Sequence, residues 1–385
     1  MILVFEMNWS GTVHAPGNAA TIQAIAAGCP GQEVRVYAEP GHLRELRLDG
    51  IAGHSIALYP HFQGRPGIVA WGRLRHEFAL LRAALAAVPA GEPCLLMLLS
   101  TTSTAIFAAA LAARLRPGTR VQIGLHGDLN ELTGGRSRHP LRRAFDLHAA
   151  MARPWRHLRF LVLEDAIRDE LARLAPAALP RTDVLPLPIN ATELPATPAV
   201  TLASPIRFGF VGQATEAKGI TSFLAIARAM KARHGAAAEF DVIGRADPRH
   251  PPPDASDLIA PVATAYLTRE EFTRRLAALH YVVLPLQGAY YRLAASGALL
   301  DAVTWLKPVI AGRVPIVEHW FAHGDIGHRC ADEAAMLALI DAILTGPDPA
   351  RYTAQVATLR SARDTRSSAA TADRYTALLR GFFPP

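Results

Sequence analysis

The sequence contains the stretch Ile206-Arg-Phe-Gly-Phe-Val-Gly-Gln-Ala-Thr-Glu-Ala-Lys218-Gly219, which indicates the fold of the second half of the chain. Residues 207–211 are mostly β-branched or aromatic, which predicts a buried strand. Gly209 and Gly212 permit close backbone approach, and Lys218 stands directly before a helix predicted over residues 220–230. Because a helix N-terminus attracts negative charge, a strand, a glycine turn and a lysine in this order predict a phosphate site.

Lysine is rare in this chain, which makes that lysine informative. Among 40 basic residues, only Lys218, Lys231 and Lys307 are lysines. The net charge of +7 suits an anionic partner, and composition alone does not choose among a nucleotide, a phospholipid surface and nucleic acid.

The length of 385 residues exceeds one ordinary core and predicts two domains. Proline-rich sequence after residue 183 separates two stretches in which predicted strands and helices alternate. We place an N-terminal domain at residues 1–190, a linker at 191–205 and a C-terminal domain at 206–366. The amphipathic segment 367–385 is predicted to be a helix that crosses back to the first domain.

No apolar run reaches the roughly 18 residues that a membrane span requires. Glu6 follows the first apolar residues at once, which favours a first strand over a secretory signal. Cys29, Cys94 and Cys330 are far apart and odd in number, which argues against a disulfide framework and a zinc site. The expected compartment is the cytoplasm.

Alternation of strands and helices predicts an α/β fold with parallel sheets. The first half carries five strand-like runs, at residues 2–5, 33–37, 94–99, 120–125 and 160–163. The second half carries strand-like runs at residues 207–211, 240–243, 263–267, 281–284 and 308–311. In doubly wound sheets ligands bind beyond the carboxyl ends of the strands, so we expect functional residues there.

A second informative segment, residues 290–311, contains Ser296-Gly297 and, just over one helical turn later, Asp301. Ser296 is a good N-cap, and Gly297 leaves backbone amides accessible to an anion. Asp301 then faces the same side and accepts hydrogen bonds from sugar hydroxyls. The alternative is that Ser296 only caps the helix and Asp301 only complements its dipole.

These two segments resemble the donor site of GT-B-fold glycosyltransferases, in particular the retaining nucleotide-sugar-dependent group. Val211-Gly212 with Lys218-Gly219 matches the first donor motif, and the run from Asp301 to Pro308-Val309 matches the end of the second. The resemblance covers about residues 183–311. It implies two doubly wound Rossmann-like domains facing across a cleft.

The sequence departs from the family pattern at two positions. Gln213 replaces the arginine that helps to hold the diphosphate, and Leu293 stands where the first glutamate of the second motif belongs. The neighbouring Tyr290, Tyr291 and Arg292 offer hydroxyls and a cation instead. These departures indicate a divergent branch.

The resemblance also implies roles for individual residues on the donor side. Gly212, Gln213 and Lys218 would border the donor diphosphate, Ser296 and Gly297 would present amides to it, and Asp301 would hold the ribose. The base would lie near four residues: Gly244, Arg245, Tyr266 and Leu267. The family needs no metal and no protein nucleophile, so we expect neither a metal nor another cofactor.

The acceptor side is expected in the first domain. His14 follows the first strand, and His126 and Asp128 follow the strand over residues 120–125. A histidine at such a position orients an acceptor hydroxyl, and a carboxylate takes its proton. For each of these residues a solvated loop or a cap is the alternative.

The resemblance implies a hexosyl-type glycosyltransferase that acts on a saccharide or lipid-linked acceptor in polysaccharide or glycoconjugate biosynthesis. A nucleotide-sugar epimerase of the same fold and a non-catalytic binding module are the alternatives. Clustered arginines with aromatic residues over 136–159 offer a peripheral contact with an anionic membrane at the inner face, or a solvated helix surface. Nucleic acid is disfavoured because this cluster has no reading motif.

Overall fold

The computed structural model describes residues 1–60, 66–126, 128–189, 201–247, 255–286, 288 and 290–380. The chain divides into two compact units. The first unit comprises Met1–Ala191, Leu293–Ala295 and Arg366–Pro385. The second comprises Thr192–Arg292 and Ser296–Thr365.

The first unit is built on a seven-stranded parallel sheet of order β3-β2-β1-β4-β5-β6-β7. The strands are β1 Ile2–Phe5, β2 Val34–Ala38, β3 Ala52–Ser55, β4 Cys94–Leu98, β5 Thr119–Gly124, β6 Leu158–Val162 and β7 Thr182–Val184. The order reverses between β1 and β4, so the connections after these two strands leave on opposite faces of the sheet. Such a switch point leaves a crevice at the carboxyl edge.

Eight helices accompany this sheet in the described residues. They are α1 Ala15–Gly28, α2 Pro40–Leu46, α3 Pro66–Ala86, α4 Ser103–Arg114, α5 Pro140–Ala144, α6 Leu147–Ala152, α7 Asp165–Leu174 and α14 Ser368–Arg380, with 3₁₀ turns at Asp128–Thr133 and Pro176–Arg181. α3 packs on α4, and α14 packs on α1. All residues of β1 and β4 are buried because helices cover both faces of the sheet.

The last helix is fastened to the first unit by polar contacts as well as apolar ones. Tyr375 is fully buried, and its hydroxyl donates to Oε1 of Gln122 on β5 over 2.7 Å. Arg366, just before α14, forms a buried two-pronged ion pair with Glu164 at the end of β6. Leu378 and Leu379 of the predicted apolar stripe pack on the same core, and Phe382 lies outside the described residues.

The second unit has a five-stranded parallel sheet of order β12-β11-β10-β8-β9. Its strands are β8 Ile206–Val211, β9 Ala238–Ile243, β10 Tyr281–Leu284, β11 Val309–Gly312 and β12 Gly327–Cys330. Its helices in the described residues are α8 Ile220–His234, α9 Arg269–Ala278, α10 Gly297–Thr304, α11 Pro315–Phe321, α12 Glu333–Thr345 and α13 Pro349–Asp364. Here the switch point lies between β8 and β10.

The strand predicted over residues 263–267 is wrong. Ala263 makes one isolated bridge to Arg245, and the residues after it form no strand. Residues 264–266 are exposed, so the apolar side chains that suggested a strand do not cover a core. The helix after Thr268 is present, and the Thr268 hydroxyl accepts from the amide of Glu271 as a cap.

Candidate functional site

The candidate donor site lies at the switch point of the second unit. β8 runs into residues 212–219, and β10 runs into the segment that leads to α10. Since β8 and β10 are neighbours in the sheet, both connections start at the same carboxyl edge. This position is the expected ligand site of a doubly wound sheet.

Three glycines bring the loops of this edge into close contact. Gly212 and Gly219 have φ values of +104° and +84°, which favour glycine. A Cβ on Gly219 would clash with the carbonyl oxygen of Pro285, directly after β10. A Cβ on Gly244 would clash with the carbonyl oxygen of Gly212. Side chains at these positions would therefore push the loops apart.

Lys218 supplies a positive charge at the carboxyl edge of the second sheet. It is half-buried at the end of a 3₁₀ turn, Glu216–Lys218, and its Nζ would lie 3.5 Å from a Cβ placed on Gly212. Burial lowers the pKa of Lys218, and the negative charge of Asp301 counteracts that lowering. The loop after β8 and the helix α10 thus place an ammonium and a carboxylate within electrostatic reach of each other.

The first turn of α10 has both an N-cap and an accessible helix end. The Ser296 hydroxyl accepts from the amide of Leu299 over 3.2 Å, so Ser296 is an N-cap. Gly297 is exposed with no atom near its missing side chain, which leaves the helix end open to an anion. Asp301 is half-buried one turn further on. Capping and ligand binding by this turn are compatible.

The predicted base region forms a small exposed platform. The guanidinium of Arg245 lies 4.2 Å from the ring centroid of Tyr266, a cation–π contact. Tyr266 is 51% exposed, and Leu267 is half-buried. A planar guanidinium on an exposed ring offers a stacking surface to another flat group.

The residues near Gln213 and Leu293, the two departures from the family pattern, differ in their exposure. Gln213 is exposed beside Gly212, and Arg292 is exposed as well. Tyr291 is buried, which argues against a free hydroxyl there, and Leu293 belongs to the apolar core of the first unit. That core position favours an apolar residue at 293. The side chain of Tyr290 lies outside the described residues.

The candidate acceptor residues gather at the switch point of the first unit. The rings of His14 and His126 meet edge to face with centroids 4.3 Å apart, and Trp9 lies 4.9 Å from His14. Burial lowers the pKa of His126, so its imidazole is neutral near pH 7. Asp128 begins a 3₁₀ turn, but its side chain lies outside the described residues. The structure therefore brings the two predicted histidines together.

Sequence reasoning missed a cluster of buried polar residues beside the loop that leads to His14. Glu6 and His42 are fully buried, and Asn18 is nearly so. The signal in the sequence was Glu6, a charged residue directly after an apolar strand. Burial of its carboxylate is costly unless hydrogen bonds satisfy both oxygens, so such a residue indicates polar partners.

The arginine-rich region does not turn its aromatic side chains outward. Phe145 and Trp155 both pack edge to face on Phe107, at 5.1 and 5.6 Å between centroids. Exposed arginines remain, including Arg142 and Arg143 on α5. Any membrane contact here would thus rest on charge.

The chain resembles solved glycosyltransferases in structure. Sucrose-phosphate synthase from Thermosynechococcus elongatus superposes with a TM-score of 0.69 at 16% identity, covering 99% of this chain and 98% of that one. Anabaena HepE in complex with UDP and glucose gives 0.69 at 14% identity, covering 99% of both chains. A glycosyltransferase from Rickettsia africae gives 0.66 at 11% identity, covering 99% and 98%. No protein-family model and no curated protein matches the chain.

The likeness over the full length shows that the chain has the GT-B fold, which confirms the fold prediction. Across the ranges that the structure describes, no helix combines the length and the apolar character needed to span a bilayer.

Proposed function

We propose that this protein is a glycosyltransferase that transfers a sugar from a nucleoside-diphosphate sugar to a saccharide or lipid-linked acceptor. The observation that carries the proposal is the placement of Lys218 and Asp301 within electrostatic reach of each other at the β8/β10 switch point, beside the open N-terminus of α10. HepE, a structural neighbour, is described with UDP and with UDP-glucose, which supports this donor class.

On the donor side, the Lys218 ammonium neutralises the diphosphate, and the backbone amides at Ser296 and Gly297 donate to its oxygens. The Asp301 carboxylate accepts from the ribose hydroxyls. Because these groups supply the charge and the donors that a diphosphate needs, the proposal requires neither a metal nor another cofactor. The Arg245–Tyr266 platform stacks against the base.

On the acceptor side, His126 is a neutral imidazole and accepts a hydrogen bond from the acceptor hydroxyl, with His14 against its ring. Asp128 is the proposed proton acceptor of the same edge. We propose a retaining, hexosyl-type transfer in which the leaving phosphate assists Asp128 in deprotonating the acceptor hydroxyl, a proposal that rests on the resemblance of the donor motifs to those of the retaining group.

We further propose that the enzyme works in the cytoplasm on polysaccharide or glycoconjugate precursors. Exposed arginines on and around α5 would hold it peripherally at an anionic inner membrane face.

A non-catalytic nucleotide-sugar-binding module is the second candidate, favoured by Gln213 and Leu293. These residues replace an arginine and a glutamate of the family motifs, while Lys218 and Asp301 are kept.

The deciding experiment is a thermal-shift screen of the full chain with UDP-, GDP-, ADP- and dTDP-sugars, followed by prolonged incubation with the best donor. A transferase is stabilised and slowly releases the nucleoside diphosphate by hydrolysis. A binding module is stabilised without release. Absence of any stabilisation contradicts both.

A further inference from the structure

The carboxylate of Glu6 is the centre of a buried hydrogen-bond network after β1. Its Oε1 accepts from the amides of Asn8 and Trp9, over 2.8 and 3.1 Å, and from the Ser100 hydroxyl over 2.6 Å. Its Oε2 accepts from Nδ2 of Asn18 over 3.1 Å. The Glu6 side chain is fully buried and accepts hydrogen bonds from four donors, so its position is fixed by the surrounding protein.

A second layer extends the network to the next loop residues. Asn18 Nδ2 also lies 3.1 Å from Nε2 of His42, and His42 Nδ1 lies 2.8 Å from the carbonyl oxygen of Gly11. Because the Asn18 amide donates, Nε2 accepts and Nδ1 carries the proton that the Gly11 carbonyl receives. Glu39 holds the same turn by accepting from the amides of Gly11 and His42.

These contacts fix the segment that carries His14. Residues 8–12 contain no helix or strand, and their amides at Asn8, Trp9 and Gly11 are all bound to Glu6 or Glu39. At the end of the segment His14 has a φ of +59°, a left-handed conformation that is strained for a non-glycine residue. A strained residue persists only where its surroundings determine it.

We propose that Glu6, Asn18 and His42 are positioning residues that hold the His14 ring against His126 at the acceptor site. They act through the loop, since Glu6 binds its start and His42 binds its middle. The chemical meaning of the pair rests on the proposed function, but the positioning itself does not.

The test uses the full chain labelled with ¹⁵N-histidine, in which the imidazole signals of His14 and His126 are assigned with His14→Ala and His126→Ala. Glu6→Gln keeps the size of the side chain and removes half of its accepting capacity. Asn18→Ala removes the link between Glu6 and His42 at a helical position that favours alanine. The second variant decides the matter if the first does not fold.

Glu164→Gln is the matched control. It alters another buried carboxylate of the same unit, after β6, which pairs with Arg366 and does not touch the loop. The proposal predicts that Glu6→Gln and Asn18→Ala abolish the mutual ring-current shifts of His14 and His126, whereas Glu164→Gln leaves them in place. Unchanged His14 and His126 signals in a folded Asn18→Ala protein would overturn it.

Calorimetry with UDP separates this proposal from the proposed function. The network lies in the first unit and the donor residues lie in the second, so UDP affinity should stay within twofold in both network variants. A wild-type protein that binds none of the nucleotide sugars refutes the proposed function, and the imidazole signals still decide whether the network positions His14.

Discussion

Lys218 and Asp301 act on each other at the carboxyl edge of the second sheet: burial lowers the pKa of the Lys218 ammonium, and the Asp301 carboxylate counteracts that change. The first residue ends a loop after β8, and the second lies on the helix that follows β10. A lysine that is half-buried beside a single carboxylate is poised for an anionic ligand, because a second negative group compensates its remaining desolvation.

Replacement of that lysine should abolish most donor binding without unfolding the protein. We expect Lys218→Ala to weaken UDP binding by about 10- to 100-fold, since a charge-assisted contact is worth about 1.5–3 kcal/mol. The melting temperature should change little. Isothermal calorimetry measures the loss, with Lys231→Ala in the last turn of α8 as the control. Equal affinities of the two variants would refute the assignment.

Donor affinity should fall on the alkaline side. Diphosphate binding needs protonated Lys218, whose pKa lies below its usual 10.5, so the Lys218 contribution to affinity is fully present well below the lowered value and is lost as pH rises through it. Asp301→Asn removes the charge that raises the pKa, which should move the decline to still lower pH. The same change should raise the donor KM. Titrations of UDP at several pH values measure both midpoints, and an unmoved midpoint would assign Asp301 to the helix alone.

The contact between the loops should make Gly219 intolerant of any side chain. Gly219→Ala introduces a clash with the Pro285 carbonyl in addition to the cost of a positive φ. Gly31 has the same φ of +84° with open space around it, so Gly31→Ala carries the backbone cost of about 1–2 kcal/mol alone. Urea unfolding should show a larger loss for Gly219→Ala, together with weaker UDP binding. Equal losses would mean that the loops yield at no cost.

Glu77 on α3 should make the first unit less stable as pH rises. Burial raises its pKa to about 7, although the Thr102 hydroxyl donates to Oε1 over 2.7 Å. The folded protein therefore holds a proton that the unfolded chain has released, and stability falls between about pH 4.5 and 7. The loss is about 3 kcal/mol.

Glu77→Gln should remove this slope, because the amide does not titrate. The measurement is the free energy of unfolding in urea at pH 5 and pH 8, with Glu45→Gln at an exposed position as the control. A slope that survives in Glu77→Gln would place the titrating group elsewhere.

The central strands were predictable, and so was the edge strand β9, which is almost wholly buried, whereas the edge strands β3 and β12 were not. β1 and β4 are covered on both faces, so their sequences are continuously apolar. All four residues of the edge strand β3 are exposed, and β12 reads Gly-His-Arg-Cys. Such strands are formed by pairing with a neighbour, and their sequences carry no burial pattern.

The end of α10 shows how a backbone geometry can persist without its usual residue. Glycine is the usual residue at a left-handed position after a helix, yet this chain has Leu306 there, with a φ of +55°. The amide of Lys307 donates to the carbonyl of Ala302, and that of Leu306 donates to Val303, as in a Schellman helix end.

The sequence predicts the location of a site residue only where that residue lies in the segment that follows one strand. Lys218, Asp301, His14 and His126 each follow a strand, so their edge was foreseeable. Glu6 meets Asn18 and Ser100 through a helix and a neighbouring strand, and only the folded arrangement of these elements brings the three side chains together.

The decisive measurement is a structure of the full chain with UDP, GDP or ADP, whichever raises the melting temperature most. We expect diphosphate oxygens within hydrogen-bond distance of Lys218 Nζ and of the first amides of α10, with the ribose on Asp301. A nucleotide bound away from Lys218 and α10 would contradict it.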